Sequence, residues 1–420
     1  MALMQKPTDI TAHEDLATQR TVPDGGINAW LVVAGTWCVS FCTYGWINSI
    51  GVFQEYYQNI AFKEYSPSTI AWIPSLQIFF MTFMGPVVGA LSDRYGPRCL
   101  LLVGSLLHVT GLMMASISHE YYQILLSQGF CSAFGISIIF QPALVCVSGF
   151  FDKKRGIAFG ILATGSSAGG VCFPILVSHL IQEVGFGWSM RISSFIILIL
   201  LVTANVTVRA FNKPRPHLLS LRQAIRPFRE TPFLLLFTGL VLFTFGFYVP
   251  INYISVEAAA SGMSQSVVQY LVAILNGASL FGRLGSGLAG DTFGHYNVFI
   301  IVCYITGVLI LGMWLPAANT TVRIAFACLF GFFSGAYVAM IPALVVQISP
   351  LDEHGFRIGL AFFSQTVGGL TTNPISGAIL GQHENWTNPK ILSGVFCVAG
   401  TTLVLAARIR KTGLRFATVF

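Results

Sequence analysis

The sequence predicts an all-α membrane protein of twelve transmembrane helices in two parallel six-helix repeats, and three observations predict it. Hydrophobic residues make up 54% and charged residues 9%, with mean hydropathy +0.73, whereas a soluble domain carries roughly 25% charged residues. The chain also repeats itself. Gly89-Ala90-Leu91-Ser92-Asp93-Arg94-Tyr95-Gly96 returns 198 residues later as Gly287-Leu288-Ala289-Gly290-Asp291-Thr292-Phe293-Gly294, Pro142-Ala143-Leu144-Val145 returns from Pro342, and Gly129-Phe130 returns at Gly331. Finally, with the N-terminus inside, 18 of the 23 Lys and Arg fall on the cytoplasmic side, as the positive-inside rule requires.

Each span follows from an apolar run near 20 residues. The first repeat reads as helices over about 29–53, 69–91, 98–118, 123–150, 156–180 and 188–209, and the second over about 232–256, 266–289, 296–315, 324–348, 355–380 and 391–408. An even number of helices per copy gives both copies one orientation. The organisation is therefore a cytoplasmic tail (1–28), a six-helix bundle (29–209), a basic linker (210–231), a second bundle (232–408) and a cytoplasmic tail (409–420). The first tail is polar and has no apolar core before a cleavage site, so the first helix itself directs insertion. The net charge of +7 is explained by loop anchors facing anionic lipid, without nucleic acid. Nine scattered cysteines without a Cys-x-x-Cys pair read as packing residues, not as disulfides or metal ligands.

In the linker, Leu218, Leu221 and Ile225 share one helical face beside Arg222 and Arg226. This fits a short helix on the inner leaflet; a solvated basic linker is the equal alternative. Thr231-Pro232 reads as an N-cap followed by proline in the first turn. Asn319-Thr320-Thr321 and Asn385-Trp386-Thr387 are glycosylation triplets in loops on the far side, which makes Asn319 and Asn385 the candidate acceptors.

The architecture, with Gly-x-Leu-x-Asp-Arg-x-Gly between helices two and three, resembles the major facilitator superfamily from Trp30 to Arg408. The resemblance implies a carrier that rocks two bundles about a central cavity. It assigns a cytoplasmic gate to Gly89, Asp93, Arg94, Gly96 and Arg98, with Asp93 accepting from a helix N-terminus in the opposite half. Asp291 repeats the aspartate, but Thr292 and His295 stand where the first copy has arginines, so the second latch is expected to be weaker. Pro23-Asp24-Gly25-Gly26 ahead of Trp30, together with the stretch from Phe150 through Asp152, Lys153, Lys154, Arg155 and Gly156 to Gly160, Gly165 and Gly169, is similar to the signatures of monocarboxylate porters and their fungal relatives. The glycine series spaces small residues for close helix packing.

Arg283 is the one basic residue well inside an expected span. A charge there is costly and must face an interior or cavity with a partner. It coincides with the eighth-helix arginine that the resemblance implicates in holding a substrate carboxylate, a group a guanidinium matches with two hydrogen bonds. Asn276 and Ser279 lie on nearly the same face. The chain departs from the porters at two points: Ser279 replaces their aspartate and Asn48 their first-helix lysine. Proton-lactate symport is therefore not expected. The remaining interior polar groups, Tyr44, Asn48, Gln77, Gln141, Asn252, Asn276, Gln365 and Asn373, among many phenylalanines, fit a bulkier amphipathic molecule. Tyr44, Asn48, Gln141, Asn276, Ser279, Arg283 and Gln365 are the candidate binding set.

No catalytic, phosphate-binding or zinc-spaced motif is present, so neither an enzyme nor a cofactor is expected. The expected function is secondary transport of a small organic acid or carboxylate-bearing metabolite, with the departures favouring export of a secondary metabolite and proton coupling left open. A nutrient monocarboxylate or vitamin uptake carrier, and a non-transporting solute receptor, are the alternatives. The expected partners are a small-molecule substrate and the lipid bilayer, in the plasma membrane with both termini cytoplasmic.

Overall fold

The computed structural model describes residues 23–211, 221–380 and 386–413. Twelve described helices traverse the molecule: α1 Ile27–Ala61, α2 from Trp72–Phe83 and Gly85–Tyr95, α3 Pro97–Ala115, α4 Tyr121–Phe150, α5 155–184, α6 186–207, α7 Thr231–Ala260, α8 Gln265–Phe293, α9 His295–Trp314, α10 Thr320–Gln347, α11 His354–Leu380 and α12 Thr387–Thr412. Nine described helices are long and apolar enough to cross a bilayer by themselves, or ten with the bent pair of α2. The other two come from the continuous rod Arg155–Thr207, which breaks only at Gly185 (φ 80°, ψ 168°), and from α11, which carries Arg357 and several hydroxyl and amide side chains. The break at Gly185 uses a conformation open to a residue without Cβ. The two rods of α2 meet at 41° just before Pro86, and a proline explains the bend.

Several expected boundaries shift. α1 runs on to Ala61 through wide i→i+5 turns at Phe41–Gly45 and Tyr57–Ala61. Thr231 is not the cap of α7: Glu230 occupies that position with no side-chain capping bond, and the proline lies in the first turn. The linker contains a helix at Leu221–Arg229, with Ile225 exposed. Leu218 and Asn385 lie outside the described residues, as does the side chain of Asn373.

The halves α1–α6 and α7–α12 meet along two matched crossings. α2 meets α11 where a Cβ on Gly89 would strike the Gly355 carbonyl, and α5 meets α8 where a Cβ on Gly156 would strike that of Gly287. Backbone contact this close requires glycine and leaves two smooth surfaces that can separate. Both crossings lie at the end of the molecule that carries Asp93 and Asp291.

Within the second half, charges are paired at both ends. Away from Asp93, buried Glu257 on α7 receives Lys390 Nζ of α12 at 2.9 Å, Arg323 Nη2 of α10 at 3.1 Å and Trp314 Nε1 of α9 at 3.3 Å. Arg323 and Lys390, near span ends in the sequence where loop anchors would lie, are thus buried cross-links. At the Asp93 end, fully buried Arg357 donates two parallel bonds to Glu230, at 2.6 and 2.8 Å, and one from Nε to Glu353, at 2.7 Å. Arg226 of the linker helix reaches Glu353 at 3.4 Å. The guanidinium of Arg357 holds the Glu230 carboxyl below its ordinary range.

Candidate functional site

A pocket lies on the seam between the halves, lined by Ser40 and Tyr44 of α1, Phe140 and Leu144 of α4, Phe159, Leu162, Ala163 and Ser166 of α5, Arg283 of α8, Val338, Ala339 and Pro342 of α10, and Phe362 of α11. Most of these side chains are aromatic or aliphatic. In this conformation the space between them is narrow.

Arg283 supplies the charge. It is 8% exposed, and its Nε donates to Ser279 Oγ at 3.0 Å and its Nη1 to the Ala163 carbonyl at 2.6 Å and to Ser166 Oγ. Its partners are thus neutral, and among the described residues no carboxylate lies within ion-pair distance. A buried cation held only by dipoles retains an unmet preference for an anion. Tyr44 sits in the wide turn of α1, where an inserted residue re-aims the side chains that follow. Its ring packs 4.6 Å from Phe140 and 6.4 Å from Phe362.

The rest of the expected binding set is placed beside the pocket, not on its wall. Ser279 is the hydroxyl that orients Arg283 and also accepts from Ser167 Oγ at 3.2 Å. Asn48 and Asn276 spend donors on their own helices, at the Tyr44 and Val272 carbonyls, and converge over Gly170. Gln141 and Gln365 are buried next to the lining residues Phe140 and Phe362, and Gln141 Oε1 and Gln365 Nε2 have no hydrogen-bond partner. Sequence reasoning missed Ser40, Ser166 and the lining phenylalanines. Helical spacing marks Ser166 as one turn from Leu162 and Gly170, but only the α5–α8 crossing brings it to Arg283.

At the rim, the N–H groups of Gly355 and Phe356, the first turn of α11, donate to the two oxygens of Asp93 at 3.0 and 2.9 Å. The repeat reproduces this contact: Gly156 and Ile157, opening α5, donate to Asp291 at 2.6 and 2.9 Å. Each helix presents unsatisfied N–H groups and the positive end of its dipole to a carboxylate of the opposite half. Neither contact uses the arginines, so Thr292 and His295 leave the amide geometry of the second copy matched to the first. Arg94 lies over the ring of Tyr95, 4.7 Å from its centroid, and neither it nor Arg98 forms an ion pair among the described residues. His295 Nε2 lies 3.2 Å from Asp291 Oδ1 but is not aligned for a hydrogen bond. Gly96 (φ 78°) and Gly294 (φ 90°) turn the chain out of α2 and α8. Asn319 caps α10, its side chain accepting from Val322 N–H at 2.9 Å.

The sequence pattern of the Major Facilitator Superfamily matches residues 32–321 and 254–416. The chain belongs to that superfamily. It is 56% identical over 398 residues to the MFS transporter asaE of Aspergillus flavus, covering 94% of this chain and 89% of that one. It is 49% identical over 421 residues to the Fujikurins efflux protein of Gibberella fujikuroi, covering 100% and 90%. Among solved structures, the fold resembles the E. coli fucose:proton symporter FucP, with TM-score 0.71 and 16% identity over 90% of this chain and 98% of that one. The human organic anion transporter MFSD10 gives 0.69 and 14%, over 90% and 100%. As a member of the Major Facilitator Superfamily the protein is an integral membrane transporter for a small molecule, not an enzyme.

Proposed function

We propose that the protein exports a carboxylate-bearing secondary metabolite across the plasma membrane by alternating access, with Arg283 binding the carboxylate. The observation that carries this reading is a buried guanidinium on the seam, held by Ser279, Ser166 and the Ala163 carbonyl and with no carboxylate beside it. The aromatic wall formed by Tyr44, Phe140, Phe159 and Phe362 supports a cargo larger than a two- or three-carbon acid. Export is supported by relatives named as efflux proteins for fujikurins and agnestins. The monocarboxylate-porter signatures support kinship with that branch, while Ser279 and Asn48 depart from the residues of lactate carriers. Gln141 and Gln365 contribute hydrogen bonds to the cargo once the halves part.

Asp93 and Asp291 act as a paired cytoplasmic gate in this reading, and their amide contacts close the face that bears both termini and the linker. The bundles then span 29–209 and 232–408, joined by the linker 210–231, and Asn319 and Asn385 face outward as glycosylation acceptors.

The test compares acid and ester. In inside-out vesicles loaded from outside with a radiolabelled aryl carboxylic acid or its methyl ester, Arg283→Lys keeps the charge and loses the planar two-point contact. Acid binding should weaken by about 1.5 to 3 kcal/mol, the range for charge-assisted hydrogen bonds, with ester uptake nearly unchanged. Arg283→Gln should widen that difference. Equal losses for acid and ester would refute carboxylate recognition by Arg283.

A further inference from the structure

Asp24 lies just ahead of α1, in the Pro-Asp-Gly-Gly segment, and no role in transport follows from its position in sequence. In the structure its backbone N–H donates to the Phe150 carbonyl at 3.1 Å, and its Oδ1 accepts from the N–H groups of Asp152 at 2.6 Å, Lys153 at 2.7 Å and Lys154 at 3.4 Å. Three successive amides converging on one oxygen form an anion-holding nest. Trp30 adds a ring contact to Phe151 with centroids 5.1 Å apart. Asp24 is also the one non-glycine residue among those described with positive φ, at 50°. Aspartate tolerates that conformation better than most residues, and its persistence here means the surroundings hold it.

The nest ends at Lys154, Arg155 opens α5, and the N–H groups of Gly156 and Ile157 just beyond it are the ones that donate to Asp291 of the other half. An unbroken run of backbone thus receives Asp24 on one side and Asp291 on the other. The second half has a brace in the corresponding place. Glu230, just ahead of α7, grips Arg357, the residue that follows the Gly355 and Phe356 amides held by Asp93. In each half, an acidic residue at the entry to the first helix bonds beside the gate amides, Asp24 to the backbone of the turn before α5 and Glu230 to the Arg357 side chain of α11.

We propose that Asp24 is a positioning residue for the gate: by clamping the 152–154 turn it aims the α5 amides at Asp291, and its loss loosens the α5–α8 closure while leaving the α2–α11 closure intact. This rests on the gate reading of Asp93 and Asp291 given above. It assigns the Asp-Gly-Gly segment to the conformational equilibrium and not to insertion or cargo contact.

The experiment reads gate opening directly and needs no cargo. Val338→Cys, on the pocket wall, is placed in a full-length background lacking the native cysteines and labelled in inside-out vesicles with a membrane-impermeant maleimide. Asp24→Gly keeps the backbone conformation available and removes only the acceptor. It should speed labelling roughly fivefold, the lower end of usual coupling between sites. Combined with Asp291→Asn it should add nothing beyond Asp291→Asn alone, because both act through the same amides, whereas with Asp93→Asn the effects should multiply. If Asp24→Gly fails to reach the membrane, Asp24→Asn, which keeps one acceptor oxygen, should show the same ordering with smaller amplitude. Unchanged labelling in the Asp24 variants when Asp291→Asn does speed it, or multiplication with Asp291→Asn, overturns the positioning role alone. No acceleration by Asp291→Asn overturns the gate reading, and this proposal with it. A merely structural Asp24 would lower yield or thermal stability without this pattern of non-additivity.

Discussion

Acids of the second half make two kinds of contact. At one end Glu257 sits among Arg323, Lys390 and Trp314, and every partner belongs to the same half. At the other, Asp291 reaches across the seam to two backbone amides of α5, as Asp93 does to α11. Breaking the Glu257 cluster would strand charges in a dry interior. Parting a carboxylate from helix-terminal amides leaves groups at the rim that water can satisfy. The difference separates what must stay together during transport from what must come apart: full charges bind helices within a half, and amide-to-carboxylate bonds join the halves.

The largest expected effect follows from the first kind of contact. Glu257→Gln leaves Arg323 and Lys390 buried without a counter-charge and should destabilise the protein by about 3 to 5 kcal/mol. Purified yield and thermal unfolding in detergent measure it, and a variant as stable as the parent would show that the cluster does not brace the half. Next come the rim acids. Asp93→Asn and Asp291→Asn should each cut transport at equal surface expression and by similar factors, since each carboxylate accepts two backbone bonds, and hydrogen bonds to charged groups contribute about 1.5 to 3 kcal/mol. A severe loss for Asp93→Asn with little for Asp291→Asn would bear out the asymmetric latch that the sequence implied. The smallest effect belongs to Arg94→Gln and Arg98→Gln. Neither side chain forms an ion pair among the described residues, and surface charges are worth at most about 1 kcal/mol, so transport should stay close to the parent; a loss as deep as that of Asp93→Asn would place the arginines in the gate after all.

The repeat made much of this legible. Its 198-residue shift located both rim aspartates, and the isolated charge in an apolar run located Arg283. The partners were less visible. The residues around Asp93 do not name its partner; only the family resemblance pointed it to a helix N-terminus of the other half, and the carboxylate does face the start of α11, more than 260 residues away in the chain. Glu257, Arg323 and Lys390 lie on three separate helices, so their ionic contacts leave no periodic trace, and each cation near a helix end reads as a loop anchor. The hydropathy of α11 is lowered by the same polar residues that place it at the seam and the rim. Tyr44 could be named from sequence, but its aim depends on a wide turn that no apolar period reveals.

Distances on the two kinds of contact test the account most directly. Spin labels at the exposed positions Tyr95 and Leu351 span the seam at the rim, and labels at Tyr270 and Thr321 lie within the second half at its Glu257 end. In lipid nanodiscs, the combined Asp93→Asn and Asp291→Asn variant should widen and lengthen the Tyr95 to Leu351 distribution relative to the parent while leaving the Tyr270 to Thr321 distribution unchanged. A rim distance that stays fixed, or an equal spread of both pairs, would contradict the division between contacts that open and contacts that hold.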